Sequence, residues 1–367
     1  MSGHACGPAA ERLLFTPAPN PVADPVWSAM RAAADLPSGG RELDALLRRL
    51  HDALAEVTGA PRHLVLTQTG TATAAIESAV RATTRPGETV AVVSNGQFGD
   101  RIVRVVTALG RELRAVHVPW GVPTETALDA VGRASRGAAL VAAVHHETST
   151  GVRNDARAVS AAVRDADPRA LVLLDAVSSA GELEVELDAW GVDIAVCGSS
   201  KGLGSLPGAS FCLAGSRALD RVVADGGSYA TSWARLVEAA TAATADVFLT
   251  PSIPVLAGVE AHLTAVVRRG HARHLAQRAQ AHAVLHEAAA LPPLFPGDAP
   301  PGPVAVYDAL DARHLQARLA GTGLHVGRGQ GPHKARAVRL SWFGHAAPCA
   351  DELRRRLRAV ATAGAPS

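Results

Sequence analysis

The sequence predicts an α/β fold: a mainly parallel sheet buried between helices, followed by a smaller α/β unit. Three observations predict it. Short apolar runs alternate with stretches of helical periodicity through the first half of the chain. Those runs are too continuous in valine, leucine and alanine for a sheet with one wet face. The polar, glycine-containing segments "TQTGTAT", "SNGQFGD", "HHETSTG", "DAVSS" and "GSSKG" stand at the carboxyl ends of the runs, where parallel sheets bind ligands.

In chain order, "LLFTPAPNPVADPVWSAM" is too rich in proline for a long helix and reads as an extended lead-in ending in a short one. "RELDALLRRLHDALAEVTGA" carries apolar residues at helical spacing. Strands then follow at "HLVLT", "TVAVVS", "LRAVHVP", "ALVAAVHH" and "ALVLLDA", with helices expected over 73–81, 99–109, 126–135 and 156–165. "DIAVCGSS" and "ASFCLAG" complete the strand set. A long helical stretch begins near Pro254, and "LPPLFPGDAPPGP" interrupts it as a loop. "VAVYDA", "GLHVGRG", "AVRLSWF" and a last helix from Cys349 make the smaller unit. The expected division is an N-terminal arm over 1–15, a large domain over 16–252 and a small C-terminal domain over 253–367.

The chain has 367 residues, enough for a sizeable core, and 48% of them are hydrophobic, with few aromatics. A formal net charge of +2 gives no pull toward nucleic acid or an acidic membrane. No apolar stretch is long enough to span a bilayer, and the start shows no signal-peptide pattern. The expectation is a cytoplasmic enzyme. Cys6, Cys197, Cys212 and Cys349 are scattered, with no C-x-x-C pair, and are expected as free thiols. His145 and His146 are adjacent, so on a strand they point to opposite faces. With no acids or cysteines at metal-ligand spacing, no metal site is expected.

One pair of residues carries the chemistry. Asp175 ends one apolar run, and Lys201 follows the next. A buried carboxylate needs a partner. Either the two form a plain ion pair, or a pyridine cofactor lies between them, its ring nitrogen held by Asp175 and its aldehyde bound to Lys201. Such a cofactor also needs a phosphate cradle, an aromatic stack and hydroxyl partners. "TGTATAAIESAV" offers N–H groups at Thr71, Ala72 and Thr73 at a helix start, although a simple helix cap explains the same residues. Phe98 stands between glycines at a strand end, and Thr148 lies in "ETSTG". There is no P-loop, dinucleotide fingerprint or nucleophile elbow.

Taken together, these segments resemble the class V (fold type I) aminotransferases that use pyridoxal 5′-phosphate. The likeness runs from "LLFTPAPNPV" to "AVRLSWFG". Within the class it is strongest to the 2-aminoethylphosphonate–pyruvate subgroup, and more distant to the alanine/serine–glyoxylate enzymes. The resemblance implies a seven-stranded sheet and a homodimer with shared active sites. It implies amino transfer from a small amino donor to a 2-oxo acid or aldehyde. It makes Lys201 the covalent lysine and proton shuttle, and Asp175 the partner of the ring nitrogen. Val177 and Phe98 would flank the ring, with Thr148 near its 3-hydroxyl. Gly70, Thr71, Ala72, Thr73 and Ser200 would hold the phosphate, and Thr250 would reach the phosphate of the neighbouring subunit. Arg339 would grip the substrate's acid group, and Ala18 would line its pocket. The chain departs from the family at Ala72 and Ala18, each in place of a glycine, and at Ser200. Trp342 and Phe343, in "RLSWFG", could reshape the pocket or pack in the core. A lyase on the same scaffold, such as a desulfurase, would often need a mobile catalytic cysteine, and none stands in a glycine-rich loop.

Overall fold

Continuous apolar runs become the strands of a seven-stranded sheet. The computed structural model describes residues 12–222, 228–242, 249–295, 302–344 and 349–362. The strands are β1 (Leu13–Phe15), β2 (Leu64–Gly70), β3 (Thr89–Ser94), β4 (Glu112–His117), β5 (Leu140–Val144), β6 (His146–Glu147), β7 (Val152–Arg153), β8 (Leu171–Asp175), β9 (Ile194–Gly198), β10 (Gly208–Ala214), β11 (Val304–Asp308), β12 (Leu324–Arg328) and β13 (Ala337–Ser341). The large sheet has the order β2-β10-β9-β8-β5-β3-β4. Five neighbours from β9 to β4 run parallel, and β10 runs antiparallel to both β2 and β9. Every residue of β3, β5, β8 and β9 is buried, because helices cover both faces.

A second sheet, β1-β12-β13-β11, forms the smaller unit. Its core holds Phe15, Tyr307, Leu340 and Trp342, covered by helices His271–Ala289 and Cys349–Thr362. Two differences from the sequence expectation follow. Leu13–Phe15, placed in an N-terminal arm, is instead a strand, because Leu13 and Phe15 bury on this sheet and pair with Leu324 and Val326. The helix Ile253–Arg269 packs on helices Asp24–Ala32 and Arg41–Val57 in the large core, so a boundary at 252/253 cuts through that packing. The chain changes unit at Gly270, whose φ of 89° breaks the long helical stretch in two.

Cys197 and Cys212 are free and buried, but Cys349 is disulfide-bonded, against the expectation of free thiols. Scattered cysteines give no spacing signal for such a bridge, and Cys6 lies outside the described residues. No described helix is long and apolar enough to cross a membrane.

Candidate active site

The carboxyl ends of β2, β5, β8 and β9 and the loops around them converge on a cavity of about 750 Å³ at the carboxyl edge of the large sheet. Asp175 is the last residue of β8, and its carboxylate accepts a hydrogen bond from the Val177 N–H at 3.0 Å. Burial pushes its pKa up, while that N–H, Lys201 and Arg101 pull it back. Lys201 begins a short 3-10 turn after β9. Its Nζ donates to Ser178 Oγ at 2.8 Å and lies 5.3 Å from the centre of the Phe98 ring. Burial lowers its pKa to about 8, with Asp175 pulling the other way. Each feels the other's charge, but the hydrogen bonds that hold them go to Val177 and Ser178 rather than to one another.

The backbone around Lys201 is tightly held. Lys201 sits at φ 60°, a left-handed conformation uncommon outside glycine. The loops carrying Ser178 and Lys201 pass backbone to backbone. A Cβ on Gly181 would stand 2.5 Å from the carbonyl oxygen of Gly202, and one on Gly202 would collide with that of Ala180. Only hydrogen fits there, and this fixes the amine beside Ser178.

The next wall is a helix start. Thr71 caps helix Ala72–Thr83, its Oγ1 accepting from the Ala74 N–H at 3.3 Å. The simple-cap reading therefore holds for Thr71, while free N–H groups remain at the turn. Arg101 donates to Thr73 Oγ1 at 3.2 Å, and its guanidinium lies 4.6 Å from the centre of the Phe98 ring. Thr71, Ala72, Thr73 and Arg101 thus form a cationic pocket of N–H and hydroxyl groups.

Phe98 belongs to helix Gln97–Ala108, whose start has no capping side chain of its own. Glu147 supplies the cap from β6. One carboxylate oxygen accepts from the N–H groups of Phe98 and Gly99 at 2.9 and 3.1 Å; the other accepts from the N–H and hydroxyl of Ser149 at 3.0 and 2.6 Å. Burial pushes this carboxyl's pKa up, against the pull of those donors. Glu147 so ties the "ETST" loop to the aromatic.

Thr148 Oγ1 is buried with no hydrogen-bond partner. Its carbonyl accepts from Arg339 Nη1 at 3.2 Å, and the Arg328 carbonyl accepts from Arg339 Nε at 2.6 Å. These two bonds aim the guanidinium from β13 into the cavity and leave further N–H groups for a ligand. Burial lowers the Arg339 pKa to about 10, with Glu147 opposing, so it is a cation near neutral pH.

Ala18, Gly70, Thr71, Ala72, Thr73, Phe98, Thr148, Asp175, Val177, Ser200, Lys201 and Arg339 all line this one cavity. Thr250 does not: it is exposed and lies outside the cavity of its own chain. Trp342 and Phe343 do not line it either. Both are buried, and Trp342 packs edge-on against Phe15 at 5.7 Å, so they are core residues. Arg101, Ser178, Gln330 and His146, the last weighed from sequence only as a metal ligand, also line the cavity, and Glu147 stands behind it.

The family described as Aminotransferase class-V matches residues 28–292. The L-aspartate–glyoxylate aminotransferase of Paracoccus denitrificans (strain Pd 1222) is 34% identical over 219 residues, 57% of this chain and 53% of that protein. The serine–glyoxylate aminotransferase of Methylorubrum extorquens is 31% identical over 195 residues, 52% of this chain and 48% of that protein. The chain spans about half the length of these curated relatives. Two solved structures match far more. The aspartate aminotransferase of Thermus thermophilus aligns at a TM-score of 0.85 with 29% identity, over 95% of this chain and 99% of that one. The alanine–glyoxylate aminotransferase of Nostoc sp. aligns at 0.86 with 26% identity, over 95% of each. On the family match and the strand-end site together, the chain belongs to the class V aminotransferases, fold type I proteins that work with pyridoxal 5′-phosphate.

Proposed function

We propose that the protein is an aminotransferase that moves an amino group from a small amino acid to a glyoxylate-type 2-oxo acid. The observation that carries this is the placement of Lys201, Asp175 and Arg339 around one cavity, with Asp175 and Lys201 not paired to each other.

The residues fit pyridoxal 5′-phosphate. Thr148 Oγ1 is an orphaned buried hydroxyl, Asp175 is a buried carboxylate with one N–H donor, and the helix start at Thr71–Thr73 carries free N–H groups beside Arg101. Asp175 would hold the ring nitrogen, Phe98 and Val177 would flank the ring, and Thr148 would meet its hydroxyl. Gly70, Thr71, Ala72, Thr73 and Ser200, with Arg101, would take the phosphate. When bound, the cofactor supplies an electron-withdrawing ring that stabilises negative charge at the substrate α-carbon.

The chain's own groups do the rest. Arg339 holds the donor's carboxylate and orients its α-carbon toward Lys201. Lys201 Nζ takes the α-proton, and a pKa of about 8 leaves a useful neutral fraction near physiological pH. Ser178 Oγ gives the amine a fixed resting place when it is free. Asp175 stays ionised against the protonated ring, which keeps the ring withdrawing.

Three of the four relatives named above, those of Paracoccus, Methylorubrum and Nostoc, carry glyoxylate in their names, and this favours the glyoxylate-type reading over the 2-aminoethylphosphonate reading, which gains no support from them. A lyase reading gains none from the thiols. Neither Cys197 nor Cys212 lines the cavity; burial raises both, Cys212 to about 12. We keep a homodimer with shared sites as part of the proposal. Its support is the place of Thr250, exposed beside a groove lined by Leu47, Val65, Leu249 and Pro251, free to reach a second copy.

The test is a donor panel of alanine, serine, aspartate and 2-aminoethylphosphonate, each with glyoxylate and pyruvate. Turnover with an amino acid and glyoxylate is expected. Exchange with the phosphonate alone would overturn the reading.

A further inference from the structure

His146 is a buried group that the mechanism above leaves without a task. It lines the cavity together with Lys201 and Arg339 and is 2% exposed. Both ring nitrogens are buried with no hydrogen-bond partner. A buried imidazole with both nitrogens unsatisfied is costly, and native structures rarely keep one without a use.

The surroundings say what it lacks. On the Nε2 side the ring is backed by Gly302, where a Cβ would stand 2.6 Å from that nitrogen. The charged and titratable groups acting on it are His145 on the preceding residue, Arg153 across the β6–β7 pair, Lys201 after β9, and His282 on helix His271–Ala289. All of them disfavour protonation and, with burial as the larger cause, push its pKa well below the ordinary histidine value. The nearby acids are engaged elsewhere. Glu147 is held by Phe98, Gly99 and Ser149; Glu182 accepts from Arg278 Nε at 2.7 Å and pairs with His282 Nε2 at 2.9 Å. Asp175 is the single acidic side chain lining the cavity among the described residues, against Arg101, Lys201, Arg328 and Arg339. Among the described residues the ring has no acceptor, and the standing charges acting on it are the cations Lys201 and Arg153.

We infer that His146 is a specificity-determining residue, whose imidazole meets the second acid group of a dicarboxylic amino donor held at its first carboxylate by Arg339. The second carboxylate supplies both the missing acceptor and the missing negative charge. Its arrival reverses the balance at the ring, so the imidazole takes up a proton from solvent as the ligand binds. A monocarboxylic donor leaves the ring as it is. The inference rests on the aminotransferase reading for the word donor, and its test separates the two.

Succinate and propionate, unreactive acids differing by one carboxylate, are titrated into the cofactor-loaded protein by calorimetry. Succinate is expected to bind roughly tenfold to hundredfold more tightly than propionate, the range of a charge-assisted hydrogen bond. That preference should grow as pH falls from about 8 toward 6.5, with proton uptake seen as a buffer-dependent heat. His146→Ala should level the two ligands. His146→Gln should keep part of the preference and lose its pH dependence. Equal binding of the two acids by the unmodified protein, or an unchanged preference in His146→Ala, overturns the inference. Alanine–glyoxylate exchange on the same samples reports separately on the enzyme reading. Its failure with the succinate preference intact would leave the role of His146 standing.

Discussion

Replacing Arg339 with lysine keeps the charge and removes the geometry, which makes it the sharpest test of the substrate side of the cavity. The guanidinium is anchored by two backbone carbonyls, Arg328 through Nε and Thr148 through Nη1. The remaining N–H groups can still give a carboxylate two parallel bonds. An ammonium has a single point of donation. In the same place it must choose between the anchoring carbonyls and the ligand, so at most one bond to the carboxylate survives. The loss of one charge-assisted bond is about 1.5–3 kcal/mol, or roughly tenfold to 150-fold in KM. Arg339→Met removes both bonds and should cost about twice as much in free energy. Because the grip acts on bound substrate and transition state alike, KM should rise for the amino acid and for the 2-oxo acid, with kcat falling less. Steady-state kinetics of each half-reaction measures this. A KM within twofold of the unmodified protein for both substrates in Arg339→Lys, or equal losses in the lysine and methionine variants, would refute the anchored-fork argument.

Lys201→Ala should abolish turnover and the covalent attachment of cofactor, read as loss of the borohydride-fixed label. Cofactor uptake by the apoprotein should quicken with rising pH and level off above about 8, where the buried amine is neutral; a rise continuing toward the ordinary lysine range would show that burial does not tune Lys201. Asp175→Asn should bind cofactor yet lose most of its turnover, since a neutral amide cannot hold the ring nitrogen protonated. Glu147→Gln must turn its NH2 toward either the Phe98 and Gly99 N–H groups or Ser149, whose hydroxyl can rotate to accept, leaving two buried N–H donors unmet in the first case and one in the second, at ~1–3 kcal/mol each. Lower thermal stability and weaker cofactor binding are expected, and unchanged values in both would show that the cap is dispensable.

The strands of the large sheet were legible because a strand buried on both faces must be apolar throughout, and runs such as "TVAVVS" and "ALVLLDA" admit little else. The site was legible at strand ends for the same reason: Asp175 and Lys201 interrupt apolar context where only function explains them. Arg101 and Glu147 were not legible. Each acts through the backbone or hydroxyl of a residue distant in sequence, and nothing local to "GDR" or "HETS" announces that partner. β1 escaped because three residues carry no periodicity, and its burial depends on β12, over three hundred residues later. The helix at Ile253 was assigned to the small unit because its pattern runs on without a proline; Gly270 alone marks the change of unit.

The pairing of Leu13–Phe15 with Leu324–Val326 sets an order of assembly during synthesis. At roughly 5–20 residues per second, a ribosome needs about 15–60 s to travel from Phe15 to the residues that cover it. Through that interval Phe15 has no Val326 or Trp342 to pack on, and before it ends every strand of the large sheet has been made. The lysine and its carboxylate can therefore be in place on a nascent chain that still lacks the strand of Arg339. Nascent chains arrested between the end of helix Ile253–Arg269 and the start of β11 should carry a site able to take up cofactor but unable to discriminate among acids.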